Sequence, residues 1–405
     1  MDKRKHIALI TTWYPPAQGV AVQRMLAFLR YFDQTQFRFS VLTILLDNTQ
    51  EFEQIDSSSV YRLENKPALP VWASKREDKR HIHLLKTVWN YTIQQMQPYT
   101  FAGWQKLVQQ KLEQINTNDP IQFVLSSSSP VEAHLAAAAF AKTRPEICWV
   151  ADMRDELAAN PHITERLRKV LTKAEQTVNL RANIVTSVST PILDDFKNRM
   201  PGVVQFAEIR NGFDHTILPS GNFNKIFTIA FSGTFYGDIK PHTFFKGLQL
   251  FLSTQNIQYK LMFVGTYRNF EIPGELLPHC IFMPQVSYED AVNYMAQADA
   301  NLLILPPSGR KGVYSGKLFD YLSVKKPIIA LLDPNDVAAE LIGQCNAGFV
   351  AQFNNHAQIA NSIQQAHEVW EKQLTLPYNH ERIESLHRKF QVEKLNNLLL
   401  QWQVK

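Results

Sequence analysis

The sequence predicts an α/β protein made of two doubly wound halves. Three observations carry this. Short, continuously apolar runs alternate with amphipathic helical stretches along most of the chain, the signature of a parallel sheet covered on both faces. The alternation pauses once, in the turn-rich segment NGFDHTILPSGNFNK (211–225), and then restarts. The 405 residues exceed one ordinary core and suit two domains of about 200 residues each.

In the first half the predicted strands are IALITTW (7–13), FSVLTILL (39–46), FVLSSS (123–128), ICWVAD (147–152) and NIVTSV (183–188). Between them lie helical patterns such as VQRMLAFLRYF (22–32) and VEAHLAAAAFAKT (131–143). In the second half the strands are FTIAFSG (227–233), KLMFVG (260–265), CIFMPQV (280–286), ANLLILPP (300–307), PIIALL (327–332) and AGFVAQF (347–353). Helices are expected near 241–253, 288–297, 316–325 and 336–343, with Ser287 as an N-cap and Asp290 at its third position. A polar helical tail follows residue 378. The predicted domains are 1–211, 212–377 and a C-terminal helix, 378–405, that packs back on the first. Doubly wound halves bind ligands at the carboxyl ends of their strands, so two such halves predict a cleft with one ligand held by each.

Composition excludes several classes. Hydrophobic residues make up 45% and charged residues 20%, ordinary globular values. No apolar run approaches the ~20 residues of a membrane-spanning helix. The three cysteines form no CxxC pair and predict a reducing cytoplasm. The start, MDKRKHIALITTWYPP, reads as a first strand entering a loop, since its apolar stretch breaks at Tyr14-Pro15-Pro16. Net charge is 42 − 37 = +5, too small to imply nucleic acid. Segment 71–112 holds that whole excess, including Lys75, Arg76, Lys79 and Arg80, together with Trp72, Trp89, Tyr91, Tyr99, Phe101 and Trp104. Cations and aromatic rings together predict a peripheral contact with an anionic membrane surface; the alternative is a solvated helix with an inward aromatic stripe.

The most informative stretch is YSGKLFDYLSVKKPIIA (314–330). A strand, a loop and a helix beginning near Gly316 create an anion site from free N–H groups and the helix dipole. Gly316 allows close approach, Ser315 adds a hydroxyl and Lys317 a full charge. Asp320, three residues on, shares a helix face with Lys317. Either a diphosphate sits on Ser315, Gly316 and Lys317 with Asp320 accepting from a ribose diol, or the stretch is a capped helix with a salt pair.

These residues resemble the donor-binding stretch of retaining nucleotide-sugar glycosyltransferases with the B-type fold, often written (S/T)GK(L/I)(F/Y)EYLAxGKPII. Other segments fit in order. WYPPAQGVAVQR (13–24) resembles the loop YxPPxxGGxxxR, VADMRDE (150–156) the ADxRDxW stretch of the surface-polysaccharide branch, and IRNGFD (209–214) the junction IPNGVD. FSGTFY (231–236), FVGT (263–266) and VSYEDAVNYMAQADANLLIL (286–305) follow the later pattern. The resemblance spans nearly the whole chain. It implies a GT-B fold of two Rossmann-like domains and a donor site at Gly19, Arg24, Gly233, Thr234, Lys240, Val286, Ser315, Gly316, Lys317 and Asp320, with the base read by backbone near 284–286. Three positions depart from the family. Asp320 replaces its second glutamate, Gly312 stands where the first would contact the donor sugar, and only Gly19 remains of the glycine pair. Lys240 is the nearest cation to the second-half phosphate loop.

Transfer needs a stabilised leaving diphosphate, which cations and helix N–H groups supply without metal. No carboxylate pair of DxD type stands at a strand end, so neither a metal nor a cofactor is expected. Asp152, Arg154 and Asp155 follow an apolar strand. They either position an acceptor and handle a proton in the cleft or form a salt-bridged turn around Arg154. Arg24 reaches a phosphate, a cleft carboxylate or only solvent. Residues 126–129 are read as capping the next helix, and His6, His81, His83 and His134 as solvated or structural. Phe235 and Tyr236 line the donor pocket or belong to the core. The reading is a cytoplasmic, membrane-associated transferase moving a sugar from a nucleoside diphosphate to a surface glycan, lipid-linked or free. Its rivals are a sugar-nucleotide epimerase of the same fold and a non-catalytic nucleotide-binding partner.

Overall fold

The computed structural model describes residues 2–65, 100–216, 223–284, 286–310 and 312–403. They divide into two compact units, Met1–Ile209 with Val392–Lys405, and Arg210–Gln391. Among the described residues no helix is long and apolar enough to cross a membrane. The cations Lys75, Arg76, Lys79 and Arg80, and His81 and His83, lie outside the described residues.

The first unit is built on an eight-stranded sheet: β1 (Lys5–Ile10), β2 (Phe37–Ile44), β3 (Phe52–Ile55), β4 (Ser58–Leu63), β5 (Phe123–Ser127), β6 (Cys148–Asp152), β7 (Ile184–Ser187) and β8 (Gln205–Glu208). Their order is β3-β4-β2-β1-β5-β6-β7-β8, and only β3 runs antiparallel to its neighbour. Helices α1 (Val20–Tyr31), α2 (Ala102–Asn118), α3 (Glu132–Ala141), α4 (Glu165–Arg181) and α5 (Thr190–Arg199) accompany it.

The continuous apolar runs have a simple cause. Successive side chains of a strand point to opposite faces, and both faces here are packed. On β6, Trp149 and Ala151 enter one core while Cys148 and Val150 enter the other. Trp104, expected among the membrane-facing aromatics, is fully buried in the first of these cores, and its indole N–H donates to the Thr43 carbonyl at 3.0 Å. The expectation of an interfacial ring is corrected there, because α2 turns its apolar stripe of Trp104, Val108, Leu112 and Ile115 inward.

The second unit has six parallel strands, β9 (Phe227–Ser232), β10 (Tyr259–Val264), β11 (Cys280–Met283), β12 (Ala300–Ile304), β13 (Ile328–Leu332) and β14 (Gly348–Gln352), ordered β11-β10-β9-β12-β13-β14. Its helices are α6 (His242–Leu252), α7 (Tyr288–Gln297), α8 (Gly316–Val324), α9 (Val337–Gln344), α10 (His356–Glu371) and α11 (His380–Glu384). The last helix, α12 (Arg388–Gln401), begins in this unit and supplies Val392, Leu395 and Leu399 to the first-unit core that holds Met25 and Phe28.

Strand order reverses between β1 and β5 in the first unit and between β9 and β12 in the second. Loops leaving such a reversal diverge and open a crevice at the carboxyl ends. The Gly233 loop and the loop before Ser315 leave β9 and β12 at that place.

Two helical glycines make opposite predictions. A Cβ on Gly343 would meet no atom within 4 Å, so Gly343→Ala should stabilise α9 by up to about 1 kcal/mol. A Cβ on Gly247 would lie 2.3 Å from the Ile359 Cγ2. There overpacking of about 1–3 kcal/mol outweighs the same gain. Thermal melts of the two variants should shift in opposite directions, Gly343→Ala upward and Gly247→Ala downward.

Candidate functional site

In the second unit, β12 ends at Ile304 and a loop leads to Ser315, the N-cap of α8. The Ser315 hydroxyl makes no capping bond to the first N–H groups of the helix, of which the Leu318 N–H donates to the Ser315 carbonyl at 3.1 Å. Lys317 extends from this first turn toward the β9 loop. Its ammonium sits over the Phe231 ring, 4.8 Å from the centroid. Gly233 makes that approach possible: its φ is +95°, and a Cβ there would lie 2.6 Å from the Lys317 Cε. The neighbouring loop is fixed by backbone, Gly233 N–H to the Val264 carbonyl at 2.7 Å and Gly265 N–H to the Met283 carbonyl at 2.6 Å, and by the Thr266 hydroxyl on the Gly233 carbonyl.

Burial pushes Lys317 down to about 8, and among the described residues no carboxylate offsets it. The Lys317–Asp320 salt pair, one of the two readings of this stretch, does not form. Asp320 instead accepts from the Tyr288 hydroxyl at 2.6 Å. Burial pushes Asp320 up to about 6; Tyr288 and Arg388 work against this, and Asp214 adds to it. The Tyr288 hydroxyl also lies 3.3 Å from the His215 Nδ1, and His215 Nε2 bonds the Ser323 hydroxyl. Arg388 pairs with Asp214 at 2.8 Å.

Of the other residues expected here, Gly316 opens α8, Thr234 is exposed after β9, Lys240 is exposed near the end of the same loop, and Val286 is half-buried against the core. Phe235 is core, stacked on Phe231 at 4.0 Å, while Tyr236 is 65% exposed. Gly312 has φ +83° and donates its N–H to Asp336 at 3.0 Å. Asp336 also caps α9, so this left-handed turn anchors the loop.

The first unit corrects the reading of Asp152. Its carboxylate is fully buried. Oδ1 accepts from Arg24 at 2.7 Å and Thr186 at 2.8 Å; Oδ2 accepts from Arg24 at 3.0 Å and Ser127 at 2.9 Å. All four acceptor positions of a carboxylate are therefore filled, and none remains for a substrate. Burial alone would raise its pKa, but the Arg24 guanidinium, with Arg154 and Thr186, holds it below the usual carboxylate range. Arg24 is itself buried and joins this structural pair. Arg154 donates to the Ser128 carbonyl and adds its charge to the surroundings of Asp152. Asp155 is exposed. Gly19, at the start of α1 with φ +125°, borders open space.

The serines at the end of β5 and just beyond it do not cap α3, whose N-cap is Val131 without a side-chain bond. Ser126 binds His134 Nδ1 at 2.7 Å and accepts from Trp149 at 2.8 Å, and Ser127 binds Asp152. They face inward because alternate strand-end residues enter packed layers. His134 is buried, and burial pushes it down to about 4.

The residues that sequence reasoning missed are Tyr288, His215, Ser323 and Arg388. The one signal was Ser287, correctly read as the N-cap that sets Tyr288 at the start of α7. Among the described residues no cluster of His, Cys, Asp and Glu could hold a metal.

The chain is similar in structure to sucrose-phosphate synthase from Thermosynechococcus elongatus, at 14% identity and a TM-score of 0.64, covering 98% of this chain and 99% of that one. It is similar to Anabaena HepE, solved in complex with UDP, at 15% identity and a TM-score of 0.63, covering 98% and 100%. It is also similar to the lipopolysaccharide outer core galactosyltransferase WaaB, at 13% identity and a TM-score of 0.59, covering 98% and 99%. No protein-family model matches the chain. No curated protein matches it in sequence. The two parallel-sheet units and these neighbours define a two-domain, Rossmann-like GT-B fold.

The Arg24–Asp152 pair predicts a stability effect. Removing one partner of a buried pair costs about 3–5 kcal/mol. Asp152→Asn should therefore lower the melting midpoint strongly, and a variant that melts like the wild type would remove the structural assignment.

Proposed function

We propose that the chain is a glycosyltransferase that takes a sugar from a nucleoside diphosphate donor. The observation that carries this is Lys317, a half-buried ammonium with no counter-charge among the described residues, in a helix start that the Ser315 side chain does not cap, at the strand-order reversal of the second unit. Such a place favours an anion, and a diphosphate supplies one. Lys317 and the α8 N–H groups would bind the leaving diphosphate and stabilise its developing charge. Asp320, one turn further along α8, would accept from the ribose. HepE in complex with UDP and with UDP-glucose supports a nucleotide-sugar donor on this fold.

The finer reading rests on the sequence resemblance. The transfer retains anomeric configuration, needs no metal, and builds a surface glycan on a free or lipid-linked acceptor, with the enzyme in the cytoplasm and in peripheral contact with an anionic membrane. The lipopolysaccharide enzyme among the neighbours supports such an acceptor. Of Asp152, Arg154 and Asp155, the exposed Asp155 is the one that would serve acceptor positioning or proton handling, with Arg154 close in sequence. A second reading, nucleotide binding without transfer, is favoured by Gly312, which offers no side chain to a donor sugar. Nucleotide release measured with and without extracted lipid acceptor separates the two.

Lys317→Ala should weaken nucleoside diphosphate binding by 10- to 100-fold, the equivalent of roughly 1.5–3 kcal/mol for a charge-assisted hydrogen bond. Asp320→Asn should weaken ribonucleotides more than 2′-deoxynucleotides. Calorimetric titration measures both. The same titration across pH gives a sign test. Lys317 is charged below about 8 and Asp320 above about 6, so affinity should peak between those values and fall on either side. Turnover should survive EDTA; activity restored only by Mg²⁺ or Mn²⁺ would overturn the metal-free step.

A further inference from the structure

Asp320 stands at both ends of a chain of close polar contacts. Its Oδ1 accepts from the Tyr288 hydroxyl at 2.6 Å, and that hydroxyl lies 3.3 Å from the His215 Nδ1. His215 Nε2 meets the Ser323 hydroxyl, which donates to the backbone carbonyl of Asp320 at 2.6 Å. The contacts thus start on the side chain of Asp320 and return to its main chain.

The directions of the protons follow. Ser323 uses its hydrogen on the Asp320 carbonyl, so it accepts from His215 Nε2–H. The Nδ1 of the same ring is then an acceptor facing Tyr288. Burial pushes His215 down to about 4, with Arg388 and His387 adding to the effect, so the ring is neutral near pH 7. The Tyr288 hydroxyl has one proton, and the ionised Asp320 at 2.6 Å takes it, while the His215 ring lies against the same hydroxyl at 3.3 Å. Packing supports the same placement. The His215 ring lies 5.4 Å from Phe213 and 6.1 Å from Tyr288, and Phe213 is fully buried.

We propose that Tyr288, backed by His215, is the positioning residue for Asp320: it occupies Oδ1 and presents Oδ2 as the acceptor for a ribose diol. The proposal rests on the assignment of Asp320 to the ribose. Aspartate is one methylene shorter than the glutamate it replaces, so its carboxylate has less reach and fewer ways to orient. A fixed neighbour on one oxygen confines the other to a single direction. Tyr288 is a ring at the first position of α7, only two residues after Val286, where the base is expected. It therefore links base-side backbone and ribose-side carboxylate within one unit.

The test is a double-mutant cycle on the full chain, with uridine 5′-diphosphate and its 2′-deoxy counterpart as probes. Tyr288→Phe should weaken the ribonucleotide about 10-fold, the scale of one hydrogen bond to a charged group, and the deoxynucleotide less. In an Asp320→Asn background the same substitution should have no further effect, because Tyr288 acts through that carboxylate. His215→Phe should move the ribose preference in the same direction by a smaller factor. The preference is a ratio within one protein, so a general loss of folded material does not imitate it. Equal losses for both nucleotides, equal losses in both backgrounds, or unchanged or tighter ribonucleotide binding in Tyr288→Phe overturns the positioning role. If the wild type shows no ribose preference, or Asp320→Asn keeps it, the ribose assignment falls and the proposal with it.

Discussion

Lys317 carries its ammonium past the Cα of Gly233 to the face of the Phe231 ring and meets no carboxylate among the described residues. A cation half withdrawn from water is costly unless an opposite charge approaches. The surrounding elements each contribute to keeping it so. Gly233 has no Cβ to block the approach, the ring quadrupole offers a weak attraction, and Asp320 is bonded to Tyr288 instead of the lysine. Strand order decides why this occurs at one place. At the β9–β12 reversal the two loops part, and α8 begins in the space between them.

The first unit shows the opposite solution. Arg24 and Asp152 are both buried, yet each carboxylate oxygen has two donors. The four donors come from α1, β5 and β7, so one side chain at the end of β6 ties three other elements together. Such a pair fixes geometry and leaves no acceptor free. Carboxylates withdrawn from water are thus of two kinds, and counting donors separates them. Asp152 is saturated, whereas Asp320 has one oxygen engaged by Tyr288.

The fold was legible where apolar runs reach both cores. β1, β2, β5–β7 and β9–β14 all lie within the predicted strands to within a few residues. β3, β4 and β8 escaped notice because they lie at or near a sheet edge, with half-exposed or alternating residues in place of a continuous apolar run. Lys317 and Asp320 were readable because a helix start puts both on one local stretch. The Arg24–Asp152 pair was not, since its partners are separated by 128 positions and only the finished sheet joins them. Tyr288, His215 and Ser323 are likewise assembled from three segments. The serines at the end of β5 and just beyond it show the limit of local chemistry. Their type and spacing suit a cap, but the register of β5 points Ser126 and Ser127 inward, where His134, Trp149 and Asp152 supply better partners.

The path of α12 carries a consequence for how the chain is made. The second unit, Arg210–Gln391, is one continuous stretch, whereas the first recruits Val392, Leu395 and Leu399 from beyond it. On a ribosome, every residue of the later unit emerges before the earlier unit receives its last core side chains. The N-terminal sheet must therefore wait, with the surface around Met25, Phe28 and Phe32 uncovered, while the C-terminal one can already close. Vectorial synthesis is inverted in this molecule: the unit that begins first is the one completed last.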